Sequence, residues 1–208
     1  MKKAAMLFGA LCVLCSTIAS AGPNPNFTLP LHVVESLSAP CDAYLPVDCL
    51  GTRPTTSAIA DHPAVIFLLV SNHSGIAALQ AGLEWEASWT WTASLFDCRP
   101  GQVGALIPDG PTTASGVTTF DCLTGPALAV IGRVAFQVGH TGCVRFRQPP
   151  IPNGICVFDC TGQEIDQITD VSSPRLGRVC VGSGGHDACD PAVPVEPSTW
   201  GEIKSSYR

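Results

Sequence analysis

Between Ile76 and Leu95 every odd position from Ala77 is apolar: Ala77, Leu79, Ala81, Leu83, Trp85, Ala87, Trp89, Trp91, Ala93 and Leu95. From Gln80 the even positions are Gln80, Gly82, Glu84, Glu86, Ser88, Thr90, Thr92 and Ser94. A repeat of two places one set of side chains on the core face of a sheet and the other in water. A helix would scatter both sets around its circumference. This stretch is pleated chain.

Other segments agree. Ala64 to Val70 is an unbroken apolar run, as expected of a strand covered on both faces. Leu128, Val130, Val134, Phe136 and Val138 alternate with Ala129, Ile131, Arg133 and Gln137. Val144 and Phe146 fall on one face of the segment from Cys143 to Arg147, opposite Arg145 and Arg147. Shorter candidates are Phe27 to Val34, Ile155 to Phe158 and Leu176 to Val181. Turn formers separate them, at Pro100-Gly101, Pro108-Asp109-Gly110, Thr124-Gly125-Pro126 and Pro152-Asn153-Gly154. Short strands between such turns define an all-β class, a sandwich or barrel.

The first residues read as an export signal. Lys2 and Lys3 precede an apolar run from Ala4 to Ile18, and Ala19-Ser20-Ala21 offers the small side chains that a signal peptidase requires. Cleavage after Ala21 would make Gly22 the new N-terminus. Residues 22–190 then form one sandwich domain, 191–197 a Pro-rich linker and 198–208 a short amphipathic helix. The leader carries Cys12 and Cys15, so nine of the eleven cysteines remain. That density suits an oxidising compartment: extracellular, cell surface or periplasmic. Losing Lys2 and Lys3 leaves 9 basic against 17 acidic residues, a net charge of −8. Such a balance disfavours nucleic acid as a partner. No later segment has the length of a membrane span.

The candidate bridging cysteines are Cys41, Cys49, Cys98, Cys122, Cys143, Cys156, Cys160, Cys180 and Cys189. Proximity in sequence suggests Cys41–Cys49 and Cys180–Cys189. Cys98–Cys122 would bracket the Gly/Pro-rich segment from Arg99 to Asp121, a long connection otherwise unbraced. Cys143, Cys156 and Cys160 remain, one of them left as a thiol or joined to a second molecule. Spacing alone leaves connectivity open.

The order of the segments resembles cohesin-like modules and related secreted bacterial β-sandwiches. Ala64-Val65-Ile66-Phe67-Leu68-Leu69-Val70-Ser71-Asn72 and then Gly75-Ile76-Ala77-Ala78-Leu79-Gln80 look like the opening strands of that family. Ile131-Gly132-Arg133-Val134-Ala135-Phe136-Gln137-Val138 and Gly162-Gln163-Glu164-Ile165 look like its later ones. The match spans roughly residues 60–170. The many cysteines and the insert between Cys98 and Cys122 depart from the pattern. The resemblance implies a jelly-roll sandwich that acts by surface contact; dockerin binding is not carried over, because no residue matches that role.

Reactive chemistry finds little support. Cys180-Val181-Gly182-Ser183-Gly184-Gly185 resembles a serine-protease nucleophile loop only faintly, without its preceding acid or an upstream histidine motif, and reads as a glycine-rich turn. His32, His62, His73, His140 and His186 show no metal-ligand spacing, Cys156-x-x-x-Cys160 lacks a second ligand pair, and Asp187 with Asp190 lacks a calcium-loop register. No catalytic residue, metal or cofactor is expected. Glu84 and Glu86 share the polar strand face, where solvation accounts for them. Trp85, Trp89 and Trp91 could stack on sugars, but their phase with Leu79, Leu83 and Leu95 makes them core.

The expectation is therefore a secreted or cell-surface, non-catalytic binding or structural module whose partner is a protein or glycan at the cell surface. A carbohydrate-binding module is the alternative, and an extracellular hydrolase a more distant one. Trp200, Ile203 and Tyr207 would share a face of the C-terminal helix, making them candidate docking residues.

Overall fold

The structure, a computed structural model, describes residues 22–36, 49, 53–96, 98–99, 101–124, 128–150, 154–162 and 165–189. All regular structure in these residues is β. The strands are β1 (Leu31–Val34), β2 (Ser57–Ala58), β3 (Pro63–Val70), β4 (Gly75–Trp85), β5 (Thr90–Leu95) and β6 (Val103–Gly110). They continue with β7 (Thr113–Thr124), β8 (Ala129–Gln137), β9 (Cys143–Arg147), β10 (Ile155–Phe158), β11 (Ile165–Ile168) and β12 (Arg178–Val181).

Two sheets face each other. The smaller runs β1-β3-β8-β5, antiparallel throughout. The larger is organised by β4, which pairs with three other strands. One edge of β4 pairs with β7, which in turn pairs with β6. Its other edge takes β10 at Ala78–Gln80 and then β9 at Gly82–Trp85. The sheet continues outward through β11 beyond β10, and through β12 and β2 beyond β9.

Apolar side chains from both inner faces fill the space between. Ile66, Leu68 and Phe136 of the smaller sheet meet Leu79, Leu83, Val144, Phe146, Val157 and Val179 of the larger. Each large apolar side chain so enclosed contributes about 1.5–3 kcal/mol relative to exposure. The unbroken run of β3 is explained by its outer face, where Val65, Phe67 and Leu69 are also buried, together with Ala135. The larger sheet has its own outer cluster of Ala78, Cys156 and Phe158. Along one side the sheets are stitched together by main chain. Gly177 N–H donates to Leu29 O at 2.8 Å, and Val33 and Cys180 donate to Thr55 O and Thr56 O at 2.9 and 3.0 Å.

Several expectations need correction. The stretch 76–95 is two strands in different sheets, and Ala87 lies exposed in the turn between them. A bulge opposite β7 puts Ile76 in the core and leaves Ala77 half-buried, while a second bulge in β5 leaves Ala93 exposed. A bulge between β3 and β8 changes the phase of β8 as well: Ala129 and Ile131 join Val134, Phe136 and Val138 in the core, whereas Leu128 and Val130 pack on the outer cluster. An extra residue in one strand reverses all side chains beyond it.

The segment from Arg99 to Asp121 is no loose insert. It builds the β6–β7 hairpin and is braced by strand pairing. The bridges are Cys49–Cys189, Cys122–Cys160 and Cys143–Cys180, replacing the expected Cys41–Cys49, Cys180–Cys189 and Cys98–Cys122. Cys98 is disulfide-bonded, but not to Cys122, and Cys156 is wholly buried in β10. The predicted leader (1–21), the linker (191–197) and the C-terminal helix (198–208) lie outside the described residues, as does Cys41.

Candidate functional site: an arginine-lined groove on the larger sheet

Register places two arginines side by side. Val144 of β9 and Val179 of β12 are cross-strand partners, and both point into the core. Alternation then turns their neighbours outward. Cys143 faces Cys180, where the two form a disulfide, and Arg145 faces Arg178. Like charges directly opposite each other destabilise a sheet. The bridge two residues away holds the two strands together despite that repulsion.

Each arginine is only partly engaged. Arg145 Nε donates to Glu84 Oε1 at 2.5 Å, and the Arg145 side chain is 58% exposed. Arg178 Nε donates to Gly184 O at 2.8 Å, in the turn where Gly182 and Gly184 adopt positive φ. Arg147, the third outward arginine nearby, is committed to structure. It bonds Asp109, Ser115 Oγ, Leu83 O and Gln148 O. Burial alone would raise the Asp109 carboxyl; hydrogen bonds from Ser115, Thr113 and Arg147, with the Arg147 charge, hold it below the ordinary carboxylate value.

Arg145 and Arg178 open on a groove of about 420 Å³, whose other walls include Phe146, Ser172, Ser173, Leu176 and His186. They also line a smaller hollow of about 170 Å³ beside Glu84, Glu86 and Thr112. His186 is fixed twice. Its main chain exchanges both hydrogen bonds with Arg178 at 2.8 Å, and its Nε2 lies 2.7 Å from Pro174 O. A carbonyl only accepts, so Nε2 carries the proton. On the rim, the Ser172 hydroxyl and N–H bond to Asp170 and keep that carboxyl below its usual value. Planar guanidinium groups present paired N–H donors that match the oxygens of a carboxylate, phosphate or sulfate. The groove can therefore grip an anionic group.

Residues singled out from sequence fall elsewhere. Glu84 is the ion-pair partner of Arg145, and Glu86 is exposed just past β4. Trp85 and Trp89 are buried and Trp91 packs on the core, so none of the three presents a sugar-stacking face. Ser183 sits in an exposed turn. Asp187 pairs with Arg53 at 3.1 Å, His140 with Asp61 at 2.8 Å, and His32 Nδ1 accepts from Thr55 N–H at 2.8 Å. No metal-competent group of side chains occurs among the described residues. Trp200, Ile203 and Tyr207, the docking candidates, lie outside them. The arginine pair was not singled out from sequence. Arg145 was legible as an outward residue, but its meeting with Arg178 depends on a register between segments 33 positions apart.

The described chain is thus a disulfide-braced, two-sheet β-sandwich module. No family model and no curated protein matches it. Among solved structures it is similar to cohesin modules, in a weak relationship. The sixth cohesin of Acetivibrio cellulolyticus scaffoldin B, solved in complex with a mutant Cel5 dockerin, aligns at 12% identity and TM-score 0.49, over 76% of this chain and 99% of that one. The cohesin module of a Clostridium perfringens family 33 glycoside hydrolase aligns at 6% identity and TM-score 0.47, over 74% and 96%. A non-cellulosomal cohesin of Archaeoglobus fulgidus aligns at 12% identity and TM-score 0.41, over 61% and 86%.

Proposed function

We propose that this chain is a non-catalytic binding module, exported from the cytoplasm, that acts by surface contact and seats an acidic group of its partner between Arg145 and Arg178. The observation that carries the reading is the cross-strand arginine pair at the mouth of the groove. A like-charge pair costs stability, and in a chain of net charge −6 it stands against the prevailing sign. An anion placed between the two guanidinium groups relieves the repulsion, so free energy lost in the unbound sheet is regained on binding. The partner is a protein or a glycan bearing carboxylate, phosphate or sulfate. Sugar recognition by stacked tryptophans draws no support from the buried positions of Trp85 and Trp89. The bridges supply the rigidity needed for a contact surface and fit an oxidising compartment.

The test immobilises the wild-type domain and an Arg145→Ala/Arg178→Ala variant and challenges both with the native extracellular fraction. Wild type should retain a defined species that elutes at raised salt, as screened ion pairs require. The variant should lose it while keeping the same disulfide map and a melting temperature no lower than that of wild type. Equal retention by the two proteins would remove the reading.

A further inference from the structure

Asp166 of β11 is a buried carboxylate, 5% exposed, and makes no ion pair within the described residues. Its oxygens accept two main-chain N–H groups, from Gly22 at 2.8 Å and from Asn24 at 2.7 Å. Arg175 lies close enough to interact with its charge, but that guanidinium donates to Pro25 O at 2.6 Å and to Gln167 O at 3.5 Å. A buried carboxylate served only by neutral donors is costly, and a cation in contact with it removes most of that cost. Gly22 is itself buried. A Cβ on it would stand 2.6 Å from Asp166 Oδ2, so glycine alone lets this nitrogen reach the carboxylate.

The nitrogen that touches Asp166 is also the one that a signal peptidase would free, since Ala19-Ser20-Ala21 stands directly before Gly22. We propose that export processing cuts the Ala21–Gly22 bond, and that the α-ammonium released at Gly22 becomes the buried counter-ion of Asp166. This inference rests on the export part of the reading above and is independent of the arginine groove. Peptidase-catalysed hydrolysis adds one water across the bond, leaving a carboxylate on Ala21 and an amine on Gly22. An ordinary α-amine takes up a proton below about pH 7.7–8. The neutral donor facing the carboxylate is thereby replaced by a charged one.

The new terminus is held from a second direction. Asn24 Oδ1 accepts from Ser74 N–H at 2.7 Å, and Asn24 Nδ2 donates to Gly75 O at 3.0 Å, in the turn between β3 and β4. Residues 22–24 therefore tie β11, at the sheet edge, to the turn that joins the two sheets. Processing would tighten this clasp only after the chain has left the cytoplasm.

The charged groups around the amine are Asp166 on β11 and Arg175 in the turn before β12. The carboxylate raises the folded-state pKa of the amine above its unfolded value. The added stability is thus complete below about pH 7.7 and is lost as pH rises through the folded value. Four preparations test this: the exported mature protein, the same chain made with Ala19-Ser20-Ala21 retained, and the Asp166→Asn variant of each. The intact mass of the exported protein should place its first residue at Gly22. At pH 6.5 the extended chain should melt about 4 °C lower. The gap should narrow as pH rises past about 8 and close once the pH exceeds the raised folded-state value, and should be absent in the Asp166→Asn pair. A different first residue, an extended chain as stable as the trimmed one at pH 6.5, or a gap that survives Asp166→Asn would each overturn the proposal. None of these results would touch the capture test at Arg145 and Arg178, and failure of that capture would leave the clasp standing.

Discussion

Trp85 and Trp91 lie 5.1 Å apart between ring centroids although they belong to different sheets. The four-residue turn 86–89 carries the chain across the sandwich, and the rings close the gap behind it. Trp89 joins them from the turn, its indole N–H donating to Thr141 O at 2.8 Å. Phe136 of β8 stands at the centre, edge-on to Trp85, Trp89 and Trp91 at 5.4, 5.8 and 5.8 Å. Phe136→Ala removes the shared partner of all three and leaves a cavity. The expected cost is about 3–5 kcal/mol, read from urea unfolding. A loss below about 1 kcal/mol would mean that the cluster does not join the sheets as described. Phe136→Leu should recover most of the stability.

The opposite side of the sandwich depends on main-chain closeness. A Cβ on Gly177 would lie 2.5 Å from Leu31 N, at the start of β1, and 3.0 Å from Leu29 O, the carbonyl just ahead of it that accepts from Gly177 N–H. Backbone cannot yield as a side chain can. Gly177→Ala should therefore cost about 3 kcal/mol by parting β1 from β12. Gly162 is the control. Its φ of +70° strains any other residue, but nothing lies within 4 Å of its missing Cβ. Gly162→Ala should cost only about 1 kcal/mol. Equal melting temperatures for the two variants would contradict the stitched edge.

What could be read in the sequence was what each strand shows locally. The runs of β3 and β9 declared their faces, that of β10 its place as a strand, and the phase of Trp85 with Leu79 and Leu83 put it in the core. The errors lie where a ladder slips: beside Ala77, where β7 carries two extra residues, and where a single residue is added, within β5 before Ala93 and opposite Leu68–Leu69, where Leu128 and Val130 change sides. A bulge has no fixed composition, so it shows only once the partner strand is present. Pro108-Asp109-Gly110 misled differently. It reads as a connection, yet Pro108 and Gly110 pair with Ala114 and Thr113 in an edge strand, where a missing N–H can face away from the ladder. The groove was hidden for the same reason as the bridges. Arg145 meets Arg178, and Cys143 meets Cys180, through a register that sequence distance does not encode.

The disulfide map offers a direct check. Non-reducing peptide mass spectrometry should find Cys49 with Cys189, Cys122 with Cys160 and Cys143 with Cys180. The first spans 140 residues, the others 38 and 37. In the chain-entropy model these closures contribute about 5 kcal/mol for the long one and about 4 kcal/mol for each shorter one. Cys49→Ser/Cys189→Ser should accordingly lower the unfolding midpoint more than Cys122→Ser/Cys160→Ser. Recovery of a Cys180–Cys189 peptide would break the register of β9 against β12 and, with it, the arginine pair.

Acid should weaken the fold through two buried histidines. His73 is 4% exposed, neither ring nitrogen has a hydrogen-bond partner among the described residues, and burial followed by the Arg99 charge pushes its pKa below the ordinary 6.5. Burial lowers that of His32 as well, and its Nδ1 must remain unprotonated to accept from Thr55 N–H, one strand of the seam between the sheets. Both groups bind a proton more readily unfolded than folded. Their contribution is thus whole above about pH 6.5 and declines as pH falls through 6.5 toward the folded values. The melting temperature should drop between pH 7 and pH 5. His73→Phe keeps an aromatic ring of comparable size, removes two unpartnered polar atoms and takes away one of the two protonations. It should raise the midpoint at neutral pH and flatten part of the acid slope, leaving the share that belongs to His32. An unchanged slope in this variant would show that His73 takes up protons alike in the folded and unfolded chain, contrary to the lowering that burial and the Arg99 charge impose.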